Sequence, residues 1–257
     1  VGNVDLHIRP GSDAVDTGAS LGGVFSDDID GQSRPYGGAW DVGADELSSF
    51  AAPQLLVRTG SYDGDGGDNR AVYVGFQPDF VLVDSQGTTN GNEAVVRTST
   101  MAGDASKELD PSTPTALAGN RIQSFTATGF VVGSDPDVNE SGTGRKYHWL
   151  AMQAGAGAMK VGTYVGNGTA QTISGLGFTP VYVVVLPSNA RDAVQRSAPM
   201  PAGFSATFNA YAWAGSVTSF TSDGFVVGSS TTANESGVTY HYAAWAAVPG
   251  AVAVGSY

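Results

Sequence analysis

The sequence predicts an all-β chain in which one β-sandwich domain is written twice. Three observations carry this expectation. Glycine accounts for 36 of the 257 residues while charged residues make up only 14%, a balance that suits short strands joined by tight turns. No segment sustains a helical apolar period. Apolar residues come instead in short runs bracketed by glycine, as in "GFVVGS" at Gly129 and again at Gly224. Finally, residues from Lys160 onward repeat those from Val57 onward in order and spacing.

Residues 1–50 have a different texture, with Gly and Asp every few positions and no sustained period. An Ala/Pro linker follows at residues 51–57. The first repeat is then expected over 58–159 and the second over 160–257. "VRTGSYDGDGGDNRAVYVGFQPDFVLV" from Val57 aligns with "KVGTYVGNGTAQTISGLGFTPVYVVVL" from Lys160. "EAVVRTSTM" from Glu93 aligns with "DAVQRSAPM" from Asp192, and "RIQSFTATGFVVGS" from Arg121 with "SVTSFTSDGFVVGS" from Ser216. "NESGTGRKYHWLAM" from Asn139 and "NESGVTYHYAAWA" from Asn234 close the match. The final "VGSY" repeats "VGTY" at Val161, so it reads either as the start of a further copy or as a closing edge strand.

Within a copy, "DFVLV" and "VYVVVL" are unbroken apolar runs, the pattern of strands buried on both faces. "NESG" reads as a hairpin turn or a crossover between sheets, because Asn and Gly tolerate positive φ and Asn and Ser satisfy local backbone groups. Alternation along the strand that follows puts Tyr147 and Trp149 on one face and His148 and Leu150 on the other. The same alternation separates Tyr240 and Tyr242 from His241 and Ala243.

A formal net charge of -12 argues against nucleic acid, whose phosphates need a basic face, and against adsorption to anionic lipid. The absence of cysteine removes disulfides, thiolate metal sites and cysteine nucleophiles. No apolar run reaches the roughly 20 residues of a helical membrane span. The chain begins at Val1 and reads as a fragment or a processed product.

Candidate site residues are few. "DGDGGDN" sets Asp63, Asp65, Asp68 and Asn69 in a glycine loop of the kind a hard cation such as calcium would use. It lacks the distal Glu of an EF-hand, its counterpart "VGNGTAQ" has no carboxylate, and ordinary Asp/Gly turn chemistry competes. "SDDIDG", with Asp27, Asp28 and Asp30, is a weaker cation candidate. Arg97 and Arg196 hold matching places, either paired with the nearby Glu93 and Asp192 or free to recognise a sugar or carboxylate. Trp149, Trp213 and Trp245 are stacking platforms for sugars or fill the core. His148 and His241 read first as strand histidines, since a metal site needs several ligands and no second His lies nearby. The "N-x-S/T" triplets at Asn139, Asn167 and Asn234 fit the glycosylation pattern. With no nucleophile elbow, phosphate loop or Cys/His array, no catalytic residue is assigned.

Two resemblances add to this reading. "GSDAVDTG" (Gly11–Gly18), "DIDGQSRP" (Asp28–Pro35) and "DVGADE" (Asp41–Glu46) resemble the closing coils of a right-handed parallel β-helix from exported bacterial proteins of the "choice-of-anchor" group. Residues 58–257 resemble a lectin-like, jelly-roll β-sandwich domain of phage tails, tailspikes and large exported bacterial proteins. That resemblance rests on "GSY"/"GTY", the "GF-x-P" turns at Gly75–Pro78 and Gly177–Pro180, "GFVVGS" and "N-x-S-G…Y". Together they imply a non-enzymatic extracellular or cell-surface module, or a virion-tail module, that presents surface and self-associates into a trimer or filament. The alternatives are a carbohydrate-binding module for a cell-surface glycan, or the tail of a polysaccharide-degrading β-helix enzyme. No cofactor is expected, with calcium at the Asp63 loop as the exception to test.

Overall fold

The computed structural model describes residues 55–86, 93–109, 113–142, 145–208, 212–248 and 252–255, together with positions 14, 17–19, 26, 27, 34 and 39–43. The chain divides into two compact units, Val1–Pro53 and Gln54–Tyr257. In the first unit an isolated antiparallel bridge joins Gly18 to Trp40. Trp40 is buried, with the Arg34 guanidinium 4.8 Å from its ring centre. Most of the expected β-helix coils, Asp28 and Asp30 included, lie outside the described residues.

The second unit is all-β, and its sheets are open and antiparallel. The first repeat forms β1 (Leu56–Asp63), β2 (Arg70–Tyr73), β3 (Phe80–Gln86), β4 (Val95–Thr98), β5 (Lys107–Glu108), β6 (Ile122–Thr126), β7 (Gly129–Val132), the one-turn helix α1 (Pro136–Asn139) and β8 (Lys146–Gln153). The second forms β9 (Met159–Val165), β10 (Gln171–Ser174), β11 (Tyr182–Pro187), β12 (Val194–Ser197), β13 (Phe204–Thr207), β14 (Ala212–Ala214), β15 (Val217–Thr221), β16 (Gly224–Val227), α2 (Thr231–Asn234) and β17 (Thr239–Trp245). Each repeat supplies one large sheet, β1-β8-β3-β4-β5 or β14-β13-β12-β11-β17-β9, and one three-stranded sheet, β2-β7-β6 or β10-β16-β15.

Side-chain alternation explains how these sheets pack. On β3, Val81 and Val83 enter an apolar cluster with Phe130, Val132 and Ile122 of the small sheet. Phe80 and Leu82, on the other face, enter a second cluster. β11 behaves the same way: Val183 and Val185 pack with Phe225 and Val227, while Val184 and Leu186 join the cluster that holds Phe80. The two large sheets therefore lie back to back, each covered on its outer side by its own small sheet. Strands buried on both faces must be apolar at every position, and this is why "FVLV" and "VYVVVL" show no alternation.

The sequence leaves "NESG" as either a hairpin turn or a crossover, and it is a crossover. β7 belongs to the small sheet and β8 to the large one. The sequence reading misses the helical turn inside this connection. Asp135 and Ser230 cap α1 and α2 by accepting from the N–H groups of Asp137 and Thr232.

Phe130 is fully buried and meets Trp149 edge to face with centroids 5.9 Å apart. Phe130→Ala is expected to cost about 3–5 kcal/mol, seen as a lower urea midpoint at nearly constant slope. A shift below about 1 kcal/mol would refute the packed interface described for the two sheets of the first repeat.

Candidate functional site

The "NESG" asparagines are fully buried and hold each repeat together at one end. Asn139 Nδ2 donates to Asp65 Oδ1 at 2.9 Å and to Gly67 O at 2.7 Å, and its Oδ1 accepts from Asp65 N at 3.0 Å and Arg70 Nη1 at 3.2 Å. Asn234 repeats the pattern. Its Nδ2 donates to Thr169 O at 2.5 Å and Gly228 O at 2.6 Å, and its Oδ1 accepts from Asn167 N at 2.9 Å and Gln171 Nε2 at 2.8 Å. Tyrosines flank the same turn. Tyr147 Oη donates to Pro136 O and accepts from Glu140 N, and Tyr240 does likewise with Thr231 O and Glu235 N. Tyr62 and Tyr164, on the opening strands, stack on Tyr147 and Tyr240 and donate to Val138 O and Ala233 O.

This bonding places the expected calcium loop. Asp65 accepts from Gly67 N and Asn139, Asp63 pairs with Lys146 Nζ at 2.8 Å, and Asp68 accepts from Asn69 and Gln123. The Lys146 ammonium, first by its hydrogen bond, holds the Asp63 carboxyl below its usual range, and the Gly67 N–H does the same for Asp65. In the second repeat Asn167 takes the place of Asp65, its Oδ1 accepting from Thr169 N at 2.8 Å. Among the described residues no three His, Cys, Asp or Glu side chains gather as metal ligands.

Arg97 and Arg196 are buried clamps of equivalent turns. Arg97 donates to the carbonyls of Met101 and Gly103, both at 2.8 Å, and to Ala105 O. Arg196 donates to Met200 O at 3.1 Å, Pro201 O at 2.9 Å and Phe204 O. They lie against Phe125 and Phe220. The shared spacing Arg-x-x-x-Met in both repeats is the signal that would have found them. Trp149 and Trp245 sit in apolar clusters. Trp213 lies on β14, paired with Ser205, and its side chain is outside the described residues. The copied histidines differ in surroundings. His148 is exposed and 3.1 Å from Gln86 Oε1, whereas His241 is buried, with Nδ1 2.8 Å from Thr100 Oγ1. Burial, then the Arg97 charge, lowers the His241 pKa. Its unfolded form therefore takes up a proton first, and the stability it contributes fades as pH falls below the ordinary histidine value of about 6.5.

One cluster is not legible from sequence motifs. Arg121 pairs with Glu108, with Asp137 at 3.1 Å and with Asp135 at 3.5 Å, while Lys107 Nζ donates to Thr115 O and Asn189 O. Register and alignment put Ala206, Thr207, Ser216, Ser230 and Thr232 at these positions in the second repeat, so the charges are particular to the first. Burial pushes the Asp137 pKa up to about 7. The neighbouring Asp135 charge and a hydrogen bond that protonated Asp137 donates to Glu108 add to this, and the Glu93 N–H and Arg121 oppose it.

The outer edges of the large sheets form the broadest candidate surface. β1 and β9 are equivalent strands, and each is the last in its sheet. Among the described residues neither has a strand partner on its outer side. Gly60 and Gly162 let them lie close to the sheet: a Cβ added to either would sit 2.4 Å from the Trp149 ring or from Tyr242 Oη. Leu56, Val57 and Val165 remain 42%, 43% and 58% exposed.

A family model described as Domain of unknown function (DUF7483) matches residues 52–163, a span that takes in the first repeat and most of β9. No curated protein and no solved structure matches the chain.

Asp137 supplies a pH test. Its folded pKa lies above the unfolded value of 3.8, so the stability it contributes is complete below 3.8 and is lost as pH rises through about 7. Thermal unfolding from acid to neutral pH is expected to show Asp137→Asn falling less than the parent chain between pH 3.8 and about 7. Parallel curves would refute the raised pKa.

Proposed function

We propose that this chain is a non-enzymatic structural and adhesive module of an extracellular surface, filament or phage-tail protein. It presents a layered β body and self-associates along its sheet edges. In this reading the repeats are tandem lectin-like sandwiches, and the first unit is the end of a β-helical stalk. The observation that carries the proposal is the pair of equivalent edge strands, β1 and β9, each holding exposed apolar side chains and, among the described residues, without a strand partner on its outer side. Such edges template pairing with another chain, and a second copy offers the complementary antiparallel strand. A net charge of -12 opposes close approach at low salt.

Light scattering is therefore expected to report larger assemblies as salt rises toward about 1 M, where the Debye length is about 3 Å. Val57→Lys with Val165→Lys should hold the chain monomeric at every salt concentration. A parent chain that stays monomeric throughout would sink the proposal.

A glycan-binding reading finds support in Tyr73, 73% exposed on β2, an amphipathic ring free to stack on a sugar. Glycan-array binding that is lost in Tyr73→Ala would favour it, and binding unchanged by that substitution would remove its basis.

A further inference from the structure

The back-to-back packing of the large sheets is incomplete, and a cleft of about 420 Å³ lies between them. Its walls come from both repeats. Leu82 and Met152 face it from the first, and Val184, Tyr182 and Trp245 from the second. Val252, Ala253 and Val254 complete the lining, and Ala253 is exposed. Every side chain in the lining is aliphatic, aromatic or a thioether.

Two of those side chains carry polar tips, and both are occupied within the protein. Tyr182 Oη donates to Gln195 Oε1 at 2.5 Å, and Trp245 Nε1 donates to Met152 Sδ at 3.1 Å. The cleft thus offers an incoming group no free hydrogen-bond partner from its lining side chains. A polar or charged ligand atom inside would lose its water and gain no hydrogen bond from those side chains. An apolar lining favours apolar guests, and the cleft's volume falls in the usual range for small-molecule sites. Interiors seldom leave such space unfilled, because the lining atoms forgo dispersion contacts.

We infer that this inter-repeat cleft binds the hydrocarbon chain of an alkyl or acyl amphiphile, with the polar head left in solvent outside it. A flexible chain suits a slot between two sheets, and the side chains on the walls are contributed by strands that differ in sequence between the repeats. The inference stands apart from edge-strand assembly, since the cleft lies between the sheets and the edges outside them.

The test uses the whole chain and the neutral probe N-phenyl-1-naphthylamine. Binding is expected to be saturable at one probe per chain, to quench Trp245 by energy transfer, to raise the melting temperature and to be reversed by dodecanol. Val184→Phe and Leu82→Phe, which fill the cleft from opposite walls, should each weaken binding at least tenfold while still melting cooperatively. Flotation with phosphatidylcholine vesicles separates the sources: flotation lost in both variants assigns a membrane lipid, and its absence a soluble amphiphile. No saturable binding to the parent chain, or unchanged binding in both folded variants, would overturn the inference.

Discussion

The buried asparagine side chain at the end of each crossover is the constraint on which the repeat depends. A carboxamide has two donors and an acceptor with two lone pairs, so one group can satisfy several backbone groups where no water reaches. Asn139 and Asn234 use both ends, tying the loop after the opening strand to the turn that leads into the last. Once that tie is made, the tyrosine pairs stack and their hydroxyls close the remaining backbone groups of the helical turn. The position of each edge strand follows from it. A leucine here would fill the volume but leave several buried polar groups unpaired, each at a cost of about 1–3 kcal/mol.

Back-to-back packing of the large sheets makes the two repeats one body and lets them diverge. A residue on the shared face of one repeat meets different neighbours from its counterpart. His241 lies under the turn that carries Thr100, whereas His148 lies open. Lys107 reaches across to Asn189, and a buried network of charges surrounds it in the first repeat alone. Charges removed from water are tolerated only when paired and hydrogen-bonded, and here Arg121 with its carboxylates supplies that pairing. Alanine and hydroxyl side chains at the matching positions of the second repeat avoid the problem.

Both ideas about function follow from how the layers end. Outer faces and edges are where a layered β protein meets partners. A shared apolar face that does not close leaves room for a guest.

Local sequence was enough to determine the all-β class, the duplication, and the strands buried on both faces, because period and glycine spacing follow from backbone geometry alone. It also separated the faces of the aromatic strands: Tyr147 and Trp149 are inward together, as are Tyr240 and Tyr242. Partners distant in the chain were decided only by the tertiary structure. Local sequence places Asp65 in a glycine loop, and only the fold brings Asn139, 74 positions away, to bond it. Arg97 reads as an ion-pairing or ligand-binding group, and only the fold brings the carbonyls of its own turn to it. Trp245 reads as a sugar platform or a core residue, and only the fold sets Phe80 and Met152 of the other repeat against it. A side chain's type fixes what it is able to bond, but which groups come within about 3 Å depends on how the sheets stack, and no local pattern encodes that stacking.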